Sequence, residues 1–521
     1  MKHCENCGAN LKFDIASQKM LCEHCGSTEE PEHVEAEEAK AADVFDTMIY
    51  QCTNCMGEVV ADENEAAVFC PYCGDTTILH GRIAKVSRPQ YIIPFQKTKS
   101  ECIDSYKALL KKSIYAPNKL RNEGVTSAFR GIYMPYWSYD QKQDVDLRLK
   151  GETVKVNVLS EDVDTYHCIY NVDATYNGMT FDASKVFDDT LSLAIAPFDV
   201  EGKRDFSPGY ISGFYADTYD VEGDIYEEKA SMISTKTVLS EIRKNKDYRF
   251  YNIGKLNPPT VVKSVLASKT VEKEVGYHPV WFMATRFGQR MAYATINGQT
   301  GKAAAIIPAS PWKFLLFSLL TALPLFFLLN QVSFLTPEFA VMFVNILALF
   351  VYLVYDRELS VLQFKEAAQG IQQLEKGEEV KAQNTKVHQV IRIIWSCCLA
   401  VAIISYGKAM LIHYGTEATI PVNLITTISL WVVMFGSILR TRKLHDLMKG
   451  RFLFIGIPIV ATISVAMQLK GIPLDIYYYV VSLAQLAAIA IVFIDLIYYH
   501  NVIATKPMPL FERTGGDDNV H

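Results

Sequence analysis

Basic residues are scarce at the start of this sequence. Residues 1–81 carry four (Lys2, Lys12, Lys19 and Lys40) against sixteen acids from Glu5 to Asp75, a net charge of −12. Residues 51–81 contain no Lys or Arg. Phosphate backbones are held by Lys and Arg, so this absence argues against nucleic acid as a partner of the N-terminal region. The opening MKHCENCGAN also lacks the apolar stretch from which a signal peptide could be built. Catalytic signatures are missing too: neither GxSxG nor HExxH occurs. The one phosphate-loop-like run, Asn297-Gly-Gln-Thr-Gly-Lys302, has Ile296 where a Walker A needs its first Gly, and Ala303 where Ser or Thr should follow the Lys. It reads as a turn. No enzyme activity and no small-molecule substrate are expected. His167 and His278 stand alone and read as hydrogen-bonded structural histidines.

What is present divides the chain into unlike parts. At ~150 residues per domain, 521 residues suggest about three domains. With 12% aromatics and 21% charged residues the chain is not a disordered one. Mean hydropathy is near zero only because an acidic head is averaged with long apolar runs after Lys313.

Eight of the twelve cysteines form four CxxC pairs. Cys4, Cys7, Cys22 and Cys25 make one unit; Cys52, Cys55, Cys70 and Cys73 repeat it 48 residues on. Two residues between cysteines allow a tight turn to aim both sulfurs at one ion, and a following glycine supplies the positive φ of such a knuckle. Gly8, Gly26 and Gly74 follow directly, with Gly57 one place later. Between the knuckles, LKFDIASQKMLC and VVADENEAAVFC each read as two short strands around a polar turn. The pattern predicts two tetrahedral Cys4 zinc ribbons, with iron as the alternative metal. His3 and His24 flank ligands, but four cysteines already close each site. Each Zn(Cys)4 adds further negative charge. CxxC pairs in a chain without a signal also point to a reducing compartment, so the head is expected in the cytoplasm. Cys102, Cys168, Cys397 and Cys398 read as ordinary buried or lipid-facing thiols.

Ser27–Asp46, with eight acids and one lysine, reads as a solvated linker, helical in its Ala/Glu-rich part. The middle region reads as α+β. Thr98 and Glu101 form a capping-box signature before a helix. Val145, Leu147 and Leu149, then Val154, Val156 and Val158, suggest a hairpin turning at Lys150-Gly151. A helix is expected near Ser231–Lys246. VWFMATRF, RMAYATI and KAAAIIP read as strands, the last two joined by an Asn297-Gly298 type I′ turn. Two echoes suggest an internal duplication: Ile93-Pro94-Phe95 ahead of Pro135-Tyr136-Trp137, and Ala196-Pro197-Phe198 ahead of Pro279-Val280-Trp281.

Charge-free windows at 314–337, 339–355, 393–407, 418–439, 452–469 and 476–494 predict six membrane spans; ~17–20 residues suffice to cross. With the head inside, the inner loops and tail carry twelve bases (Arg357, Lys365, Lys376, Lys381, Lys386, Arg440, Arg442, Lys443, Lys449, Arg451, Lys506 and Arg513) and the outer loops two (Lys408 and Lys470). Glu338, Lys408, Asp475 and Asp495 are expected at helix ends, away from any transport path.

The paired ribbons, the IPF and PYW motifs, YISGFYADTYD (210–220) and NGQTGK together resemble a bacterial, Gram-positive-type family of membrane proteins with tandem transcription-factor-IIB-type zinc ribbons. The likeness covers roughly residues 1–313. Some members are named after the primosomal replication helicase, whose zinc-binding part is similar; the Walker A failure speaks against that activity here. The resemblance implies a link to phage-shock-type envelope stress, where such a protein localises partners.

The expected organisation is multidomain: zinc ribbon 1 (1–28), acidic linker (29–49), zinc ribbon 2 (50–81), an α+β cytoplasmic domain (82–308), a six-helix transmembrane domain (309–500) and a cytoplasmic tail (501–521). The expected function is a membrane-anchored, zinc-stabilised adaptor that docks a cytoplasmic or membrane-associated protein, with the lipid bilayer as its second partner. A transporter or channel with a zinc-ribbon head is the alternative, and nucleic-acid binding the third.

Overall fold

A computed structural model of the chain describes residues 3–34, 42–61, 70–75, 80–156, 161–185, 187–244, 264–288, 290–330, 337–374, 419–441, 453–507 and 509. They form two compact units: Met1–Lys112 with Asn118–Ile306 and Pro507–His521, and Ser113–Pro117 with Ile307–Lys506.

The first unit holds two sheets. A small antiparallel one joins β1 (Leu11–Asp14), β2 (Lys19–Cys22) and β3 (Thr28–Glu29). The large mixed one contains β4 (Val44–Gln51), β5 (Glu58–Val60), β6 (His80–Ser87), β7 (Tyr91–Ile92), β8 (Arg130–Val156), β9 (Glu161–Asp182), β10 (Arg204–Asp205), β11 (Tyr215–Ala216), β12 (Lys269–Phe287), β13 (Arg290–Asn297) and β14 (Ala303–Ala305). Its path runs β10-β7-β12-β8-β11-β5-β4-β6, with β9 on β8 and β13 on β12. Helices α1 (Lys99–Lys112), α2 (Asp189–Ile195) and α3 (Glu227–Arg243) are the longer helices of the unit, beside single turns at Glu123–Thr126 and Pro208–Ile211. The capping box forms at α1: Thr98 N–H donates to Glu101 Oε2 at 2.8 Å, and Glu101 N–H to Thr98 Oγ1 at 3.4 Å. That backbone donor, with the Thr98 hydroxyl, holds the Glu101 carboxyl down at about 2.

The structure repeats at Pro135-Tyr136-Trp137 and Pro279-Val280-Trp281 as expected, but Ile93-Pro94-Phe95 has a different counterpart from the expected Ala196-Pro197-Phe198. β8 and β12 run antiparallel with Met134 opposite His278. An offset of 144 then carries Tyr133, Pro135 and Trp137 onto Tyr277, Pro279 and Trp281 about a local two-fold. β7 lies parallel to β12 at Gly276–Tyr277, and β11 lies parallel to β8 at Ile132–Tyr133, the equivalent place. Trp137 Nε1 donates to Val221 O at 2.8 Å, and Trp281 Nε1 to Lys97 O at 2.9 Å. Each half is thus strand–helix–hairpin, β7-α1-β8-β9 and β11-α3-β12-β13. The counterpart of Ile93-Pro94-Phe95 is Asp217-Thr218-Tyr219: Ile93 N–H donates to Tyr277 O at 2.8 Å and Asp217 N–H to Tyr133 O at 2.9 Å. Ala196-Pro197-Phe198 lies in the connection between the halves.

Two local expectations fail. Lys150 and Gly151 do not turn; they continue β8, paired with His167 and Tyr166. Glycine accepts extended backbone as readily as a turn, and the register continues to Val156 opposite Glu161. Nor does Asn297-Gly298 form a type I′ turn, since the positive φ falls at Gly301 (78°). Asn297 Oδ1 instead accepts from the N–H groups of Gln299 and Thr300, both at 2.9 Å, which widens the loop into an Asx turn.

The second unit is helical: α4 (Pro311–Asn330), α5 (Pro337–Leu374), α6 (Thr419–Thr441), α7 (Gly456–Leu469) and α8 (Asp475–Ile503). Three stretches among the described residues are long and apolar enough to cross a membrane: Pro337–Leu359, Thr419–Leu439 and Asp475–Ile503. Pro311–Leu320 and Gly456–Leu469 are shorter apolar helices. The expected span at 393–407 lies outside the described residues, as do Cys397, Cys398 and most of the linker's Ala/Glu-rich part. Tyr352, Tyr355, Leu430, Phe454, Ala461 and Tyr499 lie in the unit's core.

Candidate metal centres

Each CxxC pair folds into the same knuckle. The N–H four residues after the first cysteine returns to that cysteine's carbonyl: Gly8 to Cys4, Gly26 to Cys22, Met56 to Cys52 and Gly74 to Cys70, at 2.8, 2.9, 2.8 and 3.0 Å. The first cysteine's own N–H reaches forward to Ala9, Ser27, Gly57 and Asp75. This closure needs left-handed backbone at the fifth position. Gly8, Gly26 and Gly74 supply it with φ of 75°, 74° and 69°; in the third knuckle Met56 takes it at 62°. The expectation that Gly57 would serve there is corrected: closure fixes the position at Met56, whatever residue stands next.

All eight predicted ligands are brought together. The Sγ atoms of Cys4, Cys7, Cys22 and Cys25 lie within 4.8 Å of one another, and so do those of Cys52, Cys55, Cys70 and Cys73. Cys52–Cys73 and Cys55–Cys70 are both 3.7 Å apart; Cys4–Cys25 and Cys7–Cys22 are 3.5 and 3.4 Å. Zn–S bonds of ~2.3 Å in a tetrahedron put sulfurs about 3.8 Å apart, so both sets fit a zinc ion, the second with little adjustment. None of these sulfurs is in a disulfide. A ligand must be a thiolate. The Ser27 hydroxyl, 3.1 Å from Cys25 Sγ, helps to draw that thiol down to about 6, and hydrogen bonding to Cys70 does the same for Cys52. The same bond pushes Cys70 up and holds it as a thiol until a metal displaces its proton. Such sites could hold two ions, with no further position for chemistry on a closed tetrahedron.

The two centres differ in their surroundings. In the first, Cys7 and Cys25 are exposed; in the second all four cysteines are buried. The second belongs to the sheet unit's main core, packed with Tyr91, Ile93, Tyr136 and Phe198. Its strands are strands of the large sheet: β5 pairs with β11 through Val60 and Ala216, and β4 with β6 over eight residue pairs. Tyr72, inside the last knuckle, is 1% exposed and reaches Asp217. Asp217 accepts from Ser184 Oγ at 2.5 Å and from Thr218 N–H at 2.9 Å, and burial raises its carboxyl to about 6.

The segment 210–220 joins both ribbons to the sheet. Ser212 Oγ donates to Leu11 O at 2.7 Å, Phe13 N–H to Ser212 O at 3.0 Å, and the Phe13 and Tyr210 rings meet at 5.3 Å. Gly209, just before it, passes so close to Pro31 that a Cβ there would sit 2.5 Å from the Pro31 carbonyl oxygen. A few residues on, Ala216 pairs with Val60 of β5 and Asp217 reaches Tyr72.

The backbone N–H groups of Gly298 to Gly301 in the NGQTGK loop are bonded within the fold and form no phosphate cradle. Gly298 N–H goes to Pro279 O, Gly301 N–H to Asn297 O, and those of Gln299 and Thr300 to Asn297 Oδ1. His278 is buried, its Nε2 2.9 Å from the Tyr91 hydroxyl, with burial holding it neutral at about 3. Cys102 is buried and Cys168 half-buried. Sequence reasoning missed Met56, Tyr72 and Asp217. The tyrosine in PYCG was the one available signal.

No family model matches the chain, and no solved structure does. The chain is similar to the uncharacterized protein YdjG of Bacillus subtilis (strain 168), 24% identical over 315 residues that span 60% of this chain and 90% of that protein.

Proposed function

We propose that this is a multi-pass membrane protein whose zinc-stapled sheet unit docks a protein partner at the cytoplasmic face. The observation that carries the reading is the asymmetry of the two centres. Ribbon 2 is core, whereas ribbon 1 offers its Cys7 and Cys25 knuckles to solvent. Glu5 and Glu23 lie in those exposed turns. Zinc knuckles present rigid loops at small entropic cost, and the acidic head attracts basic protein surfaces while repelling phosphate backbones. Tethering to the bilayer raises the partner's local concentration there. Both zinc ions act structurally, and the protein is not an enzyme. Six spans with both termini inside follow from the twelve-to-two basic asymmetry. Helix direction supports that count: α5 and α6 are parallel, since Asn345 meets Asn423 and Asp356 meets Ser437. Two crossing helices that run the same way need an odd number of crossings between them. The family resemblance adds envelope stress as the setting.

The test is a crosslinking pull-down from native membranes with Glu5→Lys/Glu23→Lys protein. Captured partner should fall several-fold while metal content stays at two per chain. Equal capture by wild type and variant would overturn docking through ribbon 1. Removing residues 1–81 is not a usable test, because β4, β5 and β6 belong to the sheet.

A further inference from the structure

The expectation that acidic groups of the spans sit at helix ends fails for Asp495. It lies twenty residues into α8 and is 0% exposed. Tyr355 of α5 donates its hydroxyl to Asp495 Oδ2 at 3.2 Å. Beside Tyr355, Asp356 accepts from Ser437 Oγ of α6 at 3.1 Å. Among the described residues, the titratable groups gathered around the Tyr355–Asp495 pair include Tyr499 on α8 and Tyr352 on α5, with Asp356 near Tyr352.

A second polar layer is built from neutral groups. Asn345 of α5 donates to Asn423 Oδ1 of α6 at 3.1 Å and to Ser464 Oγ of α7 at 3.0 Å; Asn423 donates to Gln468 Oε1 of α7 at 2.9 Å. α8 contributes Gln485 at the same level. Its register with α5 is fixed twice at an offset of 140, by Tyr355 with Asp495 and by Glu338 within electrostatic reach of Tyr478. The same offset sets Gln485 beside Asn345. At ~1.5 Å per residue the amide layer stands about 15 Å from the carboxylate, along the inward face of α8 that also carries Ser482.

Polar side chains that serve only to glue helices bond to one another. Here the bonding is incomplete. Gln485 is 1% exposed and, among the described residues, neither its Oε1 nor its Nε2 has a partner; Gln468 Nε2 is likewise unbonded among them. Two donors and an acceptor left open in an apolar bundle match water, which satisfies both kinds of group. The Asp495 carboxylate stands about 15 Å further along the same inward face. Between the two levels the buried Tyr352 of α5 carries a hydroxyl that is also unbonded among the described residues, a polar step for water from the amide layer toward that proton acceptor.

We propose that the helical unit carries a hydrated proton seam, in which water on the amide layer of Asn345, Asn423, Ser464, Gln468 and Gln485 delivers protons to and from Asp495. The carboxylate takes up one proton to become the acid and releases it on the opposite side, with net charge balanced by a counter-flow of potassium. The inference rests on α5, α6 and α8 crossing the membrane and is independent of docking.

The experiment is potassium-driven proton uptake in proteoliposomes of the full-length protein, with valinomycin present and a pH-sensitive dye as readout. Uptake should exceed that of protein-free vesicles. Asp495→Asn should lower it at least tenfold, and Gln485→Leu several-fold by drying the amide layer. Each variant is first checked for two metal ions per chain and a single size-exclusion peak; should Asp495→Asn fail these, Gln485→Leu decides. Replacing the driving potassium gradient by a sodium gradient tells a sodium seam from a proton one, and sodium flux that abolishes proton uptake overturns the proton assignment. Wild-type uptake no faster than that of protein-free vesicles, or wild-type rates in both variants, overturns the seam. Labelling of introduced cysteines tests the crossing topology separately.

Discussion

At the scale of single residues, Met56 and Asp217 each occupy a position that another residue would fill more easily. Met56 holds left-handed backbone at φ 62° where the other three knuckles use glycine. An L-residue with a Cβ gives up ~1–2 kcal/mol there, partly offset by the entropy that glycine costs. Met56→Gly should therefore stabilise the metal-loaded protein by about 0.5–1 kcal/mol, read as slower metal release to a chelator. Gly74→Ala should move the other way. Asp217 is buried with its folded pKa raised to about 6 from 3.8. A carboxyl raised on folding binds its proton more tightly in the folded state, so its contribution is full below about 4 and is lost as pH rises through 6. Asp217→Asn removes that loss. Its stability relative to wild type should improve by up to about 3 kcal/mol between pH 4 and pH 7 in denaturant titrations. A constant difference across that range would reject the reading.

At the scale of elements, the ribbons are repeats in sequence but not in role. Ribbon 1 is a small sheet held at Leu11, Phe13 and Pro31 by the segment 207–212. Ribbon 2 shares strands and core with the large sheet. Cys22→Ser should leave one metal ion per chain and raise hydrogen exchange only across residues 3–34. Cys70→Ser should also halve the metal content, but exchange should rise through β5, β11 and β8, because removing that ion leaves three thiols inside a core. Identical, local responses to both substitutions would show that ribbon 2 is a separate module.

At the scale of the whole molecule, the charge pattern and the helix directions bear on the same topology. Labelling from outside intact cells should reach a cysteine introduced near Gly415 and miss ones at Lys381 and Lys443. Outside labelling of the Lys443 position would reverse the orientation and with it the placement of the sheet unit.

What the sequence alone determined is what depends on neighbours in the chain. The CxxC spacing fixes the knuckle because its hydrogen bonds close within five residues. The Thr98–Glu101 box starts α1 because a cap acts over three. Apolar windows announce helices because burial in lipid depends on composition. The tertiary structure decided the rest, and each case involves partners far apart in sequence. The turn expected at Lys150-Gly151 yields to a ladder that continues to Val156, and the true counterpart of Ile93-Pro94-Phe95 emerges only from the β8–β12 register. Ribbon 2 becomes core because Val60 pairs with Ala216, more than 150 residues away. Asp495, read from hydropathy as the end of a span, becomes a buried group because Tyr355, 140 residues earlier, packs against it. Spacing encodes a local geometry; burial belongs to whichever distant surface arrives to cover it.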